Sequence, residues 1–258
     1  MALSDARRRL VGRLRRRGTR SREGAVLVEG IRGVEEALSA AQRIRWAICS
    51  PRLRNGGRGE RLAEALAAAA VDTVWVSDHE LGALSDTEAP QGVLMVVEEP
   101  RATLDDVARP ERLLVADGIR DPGNLGTLIR ASLALGVGGV VALEGTTDPW
   151  NPKAVRSAAG ACFHLPVIQN RWADVRLWMD ERGTEVLCAA SDGHDVALAD
   201  AGRNWALVVG SEAQGVRAEV RAAATSTVAI PMHGGAESLN AGVAGAILLY
   251  ELTRKQSP

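Results

Sequence analysis

The sequence predicts an α/β protein built in two globular parts. From Ala25 onward, short apolar runs of strand length alternate with stretches of helical periodicity. The 258 residues are 46% hydrophobic and 24% charged, a balance that suits one large or two ordinary globular domains. A charged, proline-bearing stretch, Glu98-Glu99-Pro100-Arg101, divides the alternation, because proline ends a strand and the charges keep the segment in water.

In the first part, strands are expected over 25–28, 45–49, 74–76 and 92–97, with helices over 31–40, 59–70 and 78–84. The second part restarts with a strand at 113–116, a Gly/Pro/Asn turn at 118–124 and a helix over 125–135, whose Leu125, Leu128, Ile129 and Leu133 make an apolar stripe. A buried strand follows at 140–143. Asn151-Pro152 reads as an N-cap with proline in the first helical position, opening a helix through 159. Then come a strand at 166–168, a helix at 173–181, strands at 185–189, 206–209 and 227–230, and a final helix reaching Glu251. The expected division is an Arg-rich extension over 1–24, a small domain over 25–98, a linker over 99–110 and a second domain over 111–258.

Several classes are excluded. The longest stretch without Asp, Glu, Lys or Arg, 222–236, holds 15 residues and contains Pro231 and His233. It falls short of the roughly 20 apolar residues a bilayer crossing needs. Arg13 and its neighbours interrupt Leu10-Val11 before a signal-peptide core forms, so a cytoplasmic protein is expected. Cys49, Cys162 and Cys188 are an odd count without a Cys-x-x-Cys pairing, and His79, His164, His194 and His233 never fall at zinc spacings; no disulfide or metal is expected. The six tryptophans are scattered singly and read as packing residues rather than a base-stacking platform.

The net charge of -1 conceals an asymmetry. Residues 1–24 carry nine Arg against Asp5 and Glu23, a net of +7, which leaves -8 for the rest. Such a head suits either a phosphate-seeking arm or a disordered, solubilising tail.

Three segments set few charges in long neutral stretches at strand ends. Arg130 is the only charged residue between Asp121 and Glu144, and reads either as a functional group or as an ordinary surface arginine. Gly210-Ser211-Glu212-Ala213-Gln214-Gly215 follows an apolar strand, where open α/β sheets gather ligands. Its glycines have phosphate-loop spacing, but Val216-Arg217 stands where Lys and Ser/Thr are required, so a nucleoside triphosphate site is not expected. The third segment runs from Ile230-Pro231-Met232 to Ser238-Leu239-Asn240; Ser238 or Asn240 would cap the last helix, and a glycine-rich loop before a capped helix also frames a polar ligand.

Taken together and in order, these segments resemble the SpoU/TrmH branch of the SPOUT methyltransferases, which methylate ribose 2'-hydroxyls in RNA. Asp121-Pro122-Gly123-Asn124-Leu125-Gly126-Thr127-Leu128-Ile129-Arg130 is similar to the first family motif, 210–215 to the second and 230–240 to the third. Residues 153–161 look like the intervening helix, and about 24–97, with Val28-Glu29-Gly30 and Gln91-Gly92-Val93, resemble the family's substrate-binding domain. One departure is Asn240-Ala241-Gly242-Val243-Ala244-Gly245, where relatives carry a bulkier Asn-Val-Ser-Val-Ala pattern.

The resemblance implies a small α/β substrate-binding domain followed by a SPOUT α/β domain with a C-terminal trefoil knot. It also implies S-adenosylmethionine as cofactor, a homodimer with the active site near the subunit interface, and RNA as substrate, ribosomal RNA before transfer RNA. Asn124, Arg130, Glu212, Ser238 and Asn240 match its functional polar residues; Val209, Gly210, Ser211, Ile230, Met232, Ser238 and Leu239 match its cofactor cradle. The Arg-rich head becomes an RNA-binding extension, disordered until RNA is present. The rival from another class is a catalytically silent RNA-binding or ribosome-assembly protein, against which intact Arg130, Ser238 and Asn240 speak.

Overall fold

The computed structural model describes residues 3–109, 111–234 and 238–255. Expectations that touch residues 1–2, 110 and 256–258, and the stretch Gly235-Ala236-Glu237 inside the third motif, lie outside the described residues. In chain order the elements begin with α1 (Asp5–Leu14), α2 (Arg17–Glu23), β1 (Ala25–Glu29), α3 (Ile31–Ser39), β2 (Ile44–Cys49), α4 (Gly57–Ala68), β3 (Thr73–Trp75), α5 (Asp78–Leu84) and β4 (Val93–Glu98). They continue with β5 (Arg112–Asp117), α6 (Pro122–Ala134), β6 (Gly139–Leu143), α7 (Pro152–Ala158), β7 (Val167–Asn170) and α8 (Trp172–Glu181). The last are β8 (Glu185–Asp195), β9 (Trp205–Gly210), α9 (Ala218–Ala222), β10 (Ser226–Ala229) and α10 (Ala241–Arg254). Two units result: Met1–Pro100 with Trp150–Phe163, and Arg101–Pro149 with His164–Pro258.

The first unit is a four-stranded sheet in the order β1-β4-β2-β3. β4 runs antiparallel to both β1 and β2, and β3 is parallel to β2. β1 is buried along its whole length, which is why it reads as a continuous apolar run rather than an alternating one.

Contrary to the expectation of a disordered extension, the Arg-rich head is part of this unit. Ser4 caps α1, and Val11 and Leu14 on its inner side are fully buried in the same core as Leu27, Trp46, Ile48, Val74, Leu94 and Val96. Arg20 is only 2% exposed, and its Nη1 donates to the carbonyls of Leu14 and Arg15 at 2.8 Å each, closing the open C-terminal end of α1. Gly24 then ends α2 in the left-handed conformation, φ 57°, that glycine adopts without strain.

The segment Trp150–Phe163, expected in the second domain, also groups with the first unit. Asn151 caps α7 as the sequence indicated, its side chain accepting from Lys153 N at 2.9 Å. The lock is Arg156, whose Nη1 donates at 3.2 Å to the buried carboxylate of Glu29 on β1. Glu29 also accepts from Thr87 Oγ1 at 3.0 Å, so a buried charge is fully paired and hydrogen-bonded.

The second unit holds a six-stranded sheet in the order β10-β8-β9-β5-β6-β7, with every neighbouring pair parallel. One face packs Val115, Val141, Leu143, Val186 and Val208 against Val175, Trp178 and Met179 of α8 and Val220 of α9. α6 and α10 pack together, and the two glycines of α10 explain how closely. A Cβ on Gly245 would lie 2.3 Å from Leu128 Cδ2, and one on Gly242 would lie 3.1 Å from Thr127 Cβ. The departure at Gly242 is therefore a packing feature: position 242 faces α6.

Two local expectations need correction, and one helix went unread. α6 begins at Pro122 rather than 125, because Asp121 is its N-cap and accepts from Asn124 N at 3.0 Å, with proline in the first turn. β8 runs on to Asp195 instead of ending at 189, since β10 pairs with His194 and Asp195 beyond a register shift at Thr227/Val228. The short helix α9 carries no periodic signal long enough to read.

Candidate functional site

The carboxyl ends of β5 and β9 lie side by side, with Asp117 opposite Gly210. From Gly210 the chain turns back on itself: Ser211 N donates to Gly215 O at 3.2 Å, and Gly215 N to Ser211 O at 2.9 Å. Gly210 is obligatory here, because a Cβ would stand 2.0 Å from the carbonyl carbon of Gly215. Gly215 turns the loop at φ 65°.

A buried carboxylate fixes this loop from β5. Asp117 Oδ2 accepts from Arg217 N at 2.8 Å and Oδ1 from Arg217 Nε at 2.6 Å, with the Asp117 side chain fully buried. Sequence reasoning passed over this pair. The available signal was a lone Asp closing the apolar run Leu113-Leu114-Val115-Ala116.

The three sequence motifs meet through their amides. Asn124, buried in the first turn of α6, donates through Nδ2 to the Glu212 carboxylate. Its Oδ1 accepts from Asn240 Nδ2 at 2.8 Å. Asn240 in turn caps α10, its Oδ1 accepting from Gly242 N at 3.0 Å and Val243 N at 3.2 Å. A residue that the sequence left open between capping and function thus caps and also joins the first motif to the third.

Beside this chain lies a cavity of about 850 Å³. All of Val209, Gly210, Ser211, Ile230, Met232, Ser238 and Leu239 line it, as does Glu212. At another part of the wall stand Asp192 and Arg221, which sequence reasoning did not single out because β8 extends further than its apolar run. Arg221 Nη2 donates to Asp192 Oδ2 at 2.7 Å, and this hydrogen bond holds the Asp192 carboxyl below the usual carboxylate range.

Arg130 is placed differently. It is exposed on α6, does not line the cavity, and its side chain makes no hydrogen bond or ion pair among the described residues. On the same helix pair, Leu133 of α6 and Val243, Ile247 and Tyr250 of α10 are exposed; the last three, spaced four and three apart, form one apolar stripe. His233 is exposed as well. Among the described residues no cluster of His, Cys, Asp and Glu could hold a metal ion, and no helix is long and apolar enough to cross a membrane. The three cysteines are buried free thiols.

Residues 111–250 match the model of the SpoU rRNA Methylase family, and residues 9–95 match the MRM3-like substrate binding domain. The chain is 32% identical over 234 residues, 90% of each protein, to the 23S rRNA (guanosine(2553)-2'-O)-methyltransferase RlmP of Bacillus subtilis. It is 32% identical over 250 residues, 93% of this chain and 86% of the relative, to the 23S rRNA (uridine(2479)-2'-O)-methyltransferase of Streptomyces viridochromogenes. Among solved structures it is similar to the SpoU methyltransferase AviRb of Streptomyces viridochromogenes in complex with AdoMet, with a TM-score of 0.86, 30% identity and 98% of each chain covered. With its motifs joined at one site and its second unit matched along almost its whole length, the chain belongs to the SpoU rRNA Methylase family.

Proposed function

We propose that the protein is an S-adenosylmethionine-dependent RNA methyltransferase that methylates a ribose 2'-hydroxyl in ribosomal RNA, working as a homodimer in the cytoplasm. The observation that carries this reading is the hydrogen-bonded line Asn240–Asn124–Glu212, which sets Glu212 in the wall of a cavity lined by the second and third motifs. The names of the Bacillus and Streptomyces relatives support ribosomal RNA as the substrate class.

The cavity fits the cofactor's chemistry. Its volume of about 850 Å³ is in the range of small-molecule sites. Val209, Ile230, Met232 and Leu239 offer an apolar wall for the nucleoside, and Ser211, Glu212, Asp192 and Arg221 offer partners for the charged amino-acid end. When bound, the cofactor supplies an electrophilic methyl on a sulfonium.

A ribose hydroxyl is a poor nucleophile, so the chain's own residues must position it, which is worth several kcal/mol, and stabilise the alkoxide that develops. Arg130 grips the neighbouring phosphate and polarises the hydroxyl. It acts by charge rather than as a base, because arginine keeps its proton. Ser238 orients the ribose, while Asn124 and Asn240 hold Glu212 and the second-motif loop in register.

Arg130 stands outside its own chain's cavity, so in this reading the dimer brings it to work. The exposed stripe Val243, Ile247 and Tyr250, with Leu133, supplies the apolar surface for pairing two copies through α6 and α10. The first unit is the RNA-binding part, and the C-terminal part of the second unit carries the trefoil knot of its family. Labelled methyl transfer to a panel of ribosomal and transfer RNAs tests the reading. Alkali-resistant 2'-O-methyl product in ribosomal RNA is expected; cofactor binding without ribose methylation of any RNA would overturn it.

A further inference from the structure

Eight of the nine arginines of the head divide into two sets by their partners. Arg7 and Arg8 pair with Asp72 and Glu80, Arg15 pairs with Asp86 at 3.0 Å, and Arg20 is consumed by backbone carbonyls. These tie α1 and α2 to their own unit. Arg9, Arg13, Arg16 and Arg22 are exposed, and their side chains make no hydrogen bond or ion pair among the described residues. Arg9 and Arg13 are one helical turn apart, about 6 Å along the axis, on the side of α1 opposite the buried Val11 and Leu14.

Beside them sits Gly12, exposed in the last turn of the helix. Nothing in the fold requires a glycine there: a Cβ would meet no atom within 4 Å, and its φ is not positive. The same holds for Gly18 in α2. Glycine is the poorest helix former after proline, so these two positions give up helix stability without any return inside the molecule. Absent side chains do leave a shallow notch flanked by guanidinium groups, which admits a sugar-phosphate backbone close to the helix.

We infer that the outer face of α1, with Arg9 and Arg13 beside the Gly12 notch, is a docking surface for the phosphate backbone of the substrate RNA, continued by Arg16 and Arg22. The inference rests on the reading of the protein as an RNA methyltransferase. Charge complementarity selects the occupant: forked, permanently charged donors over an uncrowded backbone match successive phosphates. The contact is indifferent to sequence and sets where the RNA lies, leaving the choice of nucleotide to the cavity.

The test measures binding of a ribosomal RNA fragment to the full chain by fluorescence anisotropy across a potassium chloride series. The variants are Arg9→Gln/Arg13→Gln, Gly12→Gln, and Arg43→Gln/Arg171→Gln, a control that removes two exposed arginines elsewhere. The stripe double variant is expected to bind at least tenfold more weakly at moderate salt. Its plot of log affinity against log salt should be shallower by about 1.4 to 1.8, the loss of two phosphate contacts. Its S-adenosylmethionine affinity by calorimetry should be unchanged. Gly12→Gln should weaken RNA binding while leaving the thermal midpoint at or above that of the wild type, and the control should bind within about twofold of it. Wild-type affinity and slope in the stripe variant, an equal loss in the control, or undiminished binding by Gly12→Gln would overturn this inference alone. A wild type that neither binds nor methylates RNA would overturn the proposed function with it.

Discussion

Asn240 donates from Nδ2 to Oδ1 of Asn124 at 2.8 Å, tying the N-cap of the last helix to a buried amide 116 residues earlier in the chain. Asn124 spends its own Nδ2 on Glu212, so one side chain spans all three motifs. Asn240→Asp should separate the two duties of Asn240. It keeps the acceptor that caps α10 and removes the donor to Asn124; thermal melting should show a small change, while methyl transfer falls tenfold or more. Asn240→Ala removes the cap as well and should cost about 1 kcal/mol more in denaturant unfolding. Equal activity in the Asp variant and the wild type would contradict this division.

Asp117 is the buried anchor of the second-motif loop. Asp117→Ala removes the buried partner of Arg217, leaving its guanidinium only Glu219 at 3.0 Å, and should cost about 1 to 3 kcal/mol in urea unfolding. Asp117→Asn keeps an acceptor for Arg217 N and should fold at lower cost, but with weaker cofactor binding by calorimetry, because the loop carrying Ser211 and Glu212 loses half its tether. Unaltered cofactor affinity in the Asn variant would detach the loop from the site.

The cysteines set a pH limit. Burial pushes Cys49 and Cys162 from an ordinary value of 9.0 up to about 12 and Cys188 up to about 11. The folded chain therefore holds thiol protons that the unfolded chain releases near 9.0, and stability is full below that pH and declines as pH rises towards about 11 to 12. At pH 8 the native protein should resist alkylation by iodoacetamide until it is unfolded. Rapid labelling of the native protein would contradict the burial.

Arg130 should act on turnover and not on cofactor binding. Arg130→Ala is expected to keep S-adenosylmethionine affinity within a few fold while kcat falls by about a hundredfold or more. If the guanidinium serves the cavity of a second copy, mixing Arg130→Ala with Glu212→Ala should restore part of the activity, because one cavity of the mixed dimer then has both groups intact. Two inactive variants that stay inactive after subunit exchange would place Arg130 and Glu212 within one chain's site.

Much of this was legible in the sequence where local chemistry decides. The parallel strands Leu113-Leu114-Val115-Ala116 and Ala206-Leu207-Val208-Val209 read as buried runs because both faces are covered, and Asn151-Pro152 announced α7 because capping is a local event. What escaped depends on partners distant in the chain. The head read as an extension because nine arginines obscure Leu10, Val11 and Leu14, an apolar stripe whose value shows only against Trp46 and Val96. The segment Trp150–Phe163 was assigned by chain order, whereas Glu29 decides where it packs. Glu212 stood out as the sole charge between Arg203 and Arg217 and Asn124 by resemblance, but their direct hydrogen bond spans 88 residues and no spacing rule predicts it. Asp117 was missed for the same reason, its partner Arg217 arriving 100 residues later in the chain, and Asp192 because β8 outruns its apolar stretch and meets Arg221 only in the fold.

The central claim is ribose methylation of ribosomal RNA, and mapping 2'-O-methyl positions tests it most directly. Ribosomal RNA from cells with the gene should show alkali-resistant linkage at a defined nucleotide that is lost when the gene is deleted. The mark should return with the wild-type chain but not with Arg130→Ala. Identical maps with and without the gene would contradict the account.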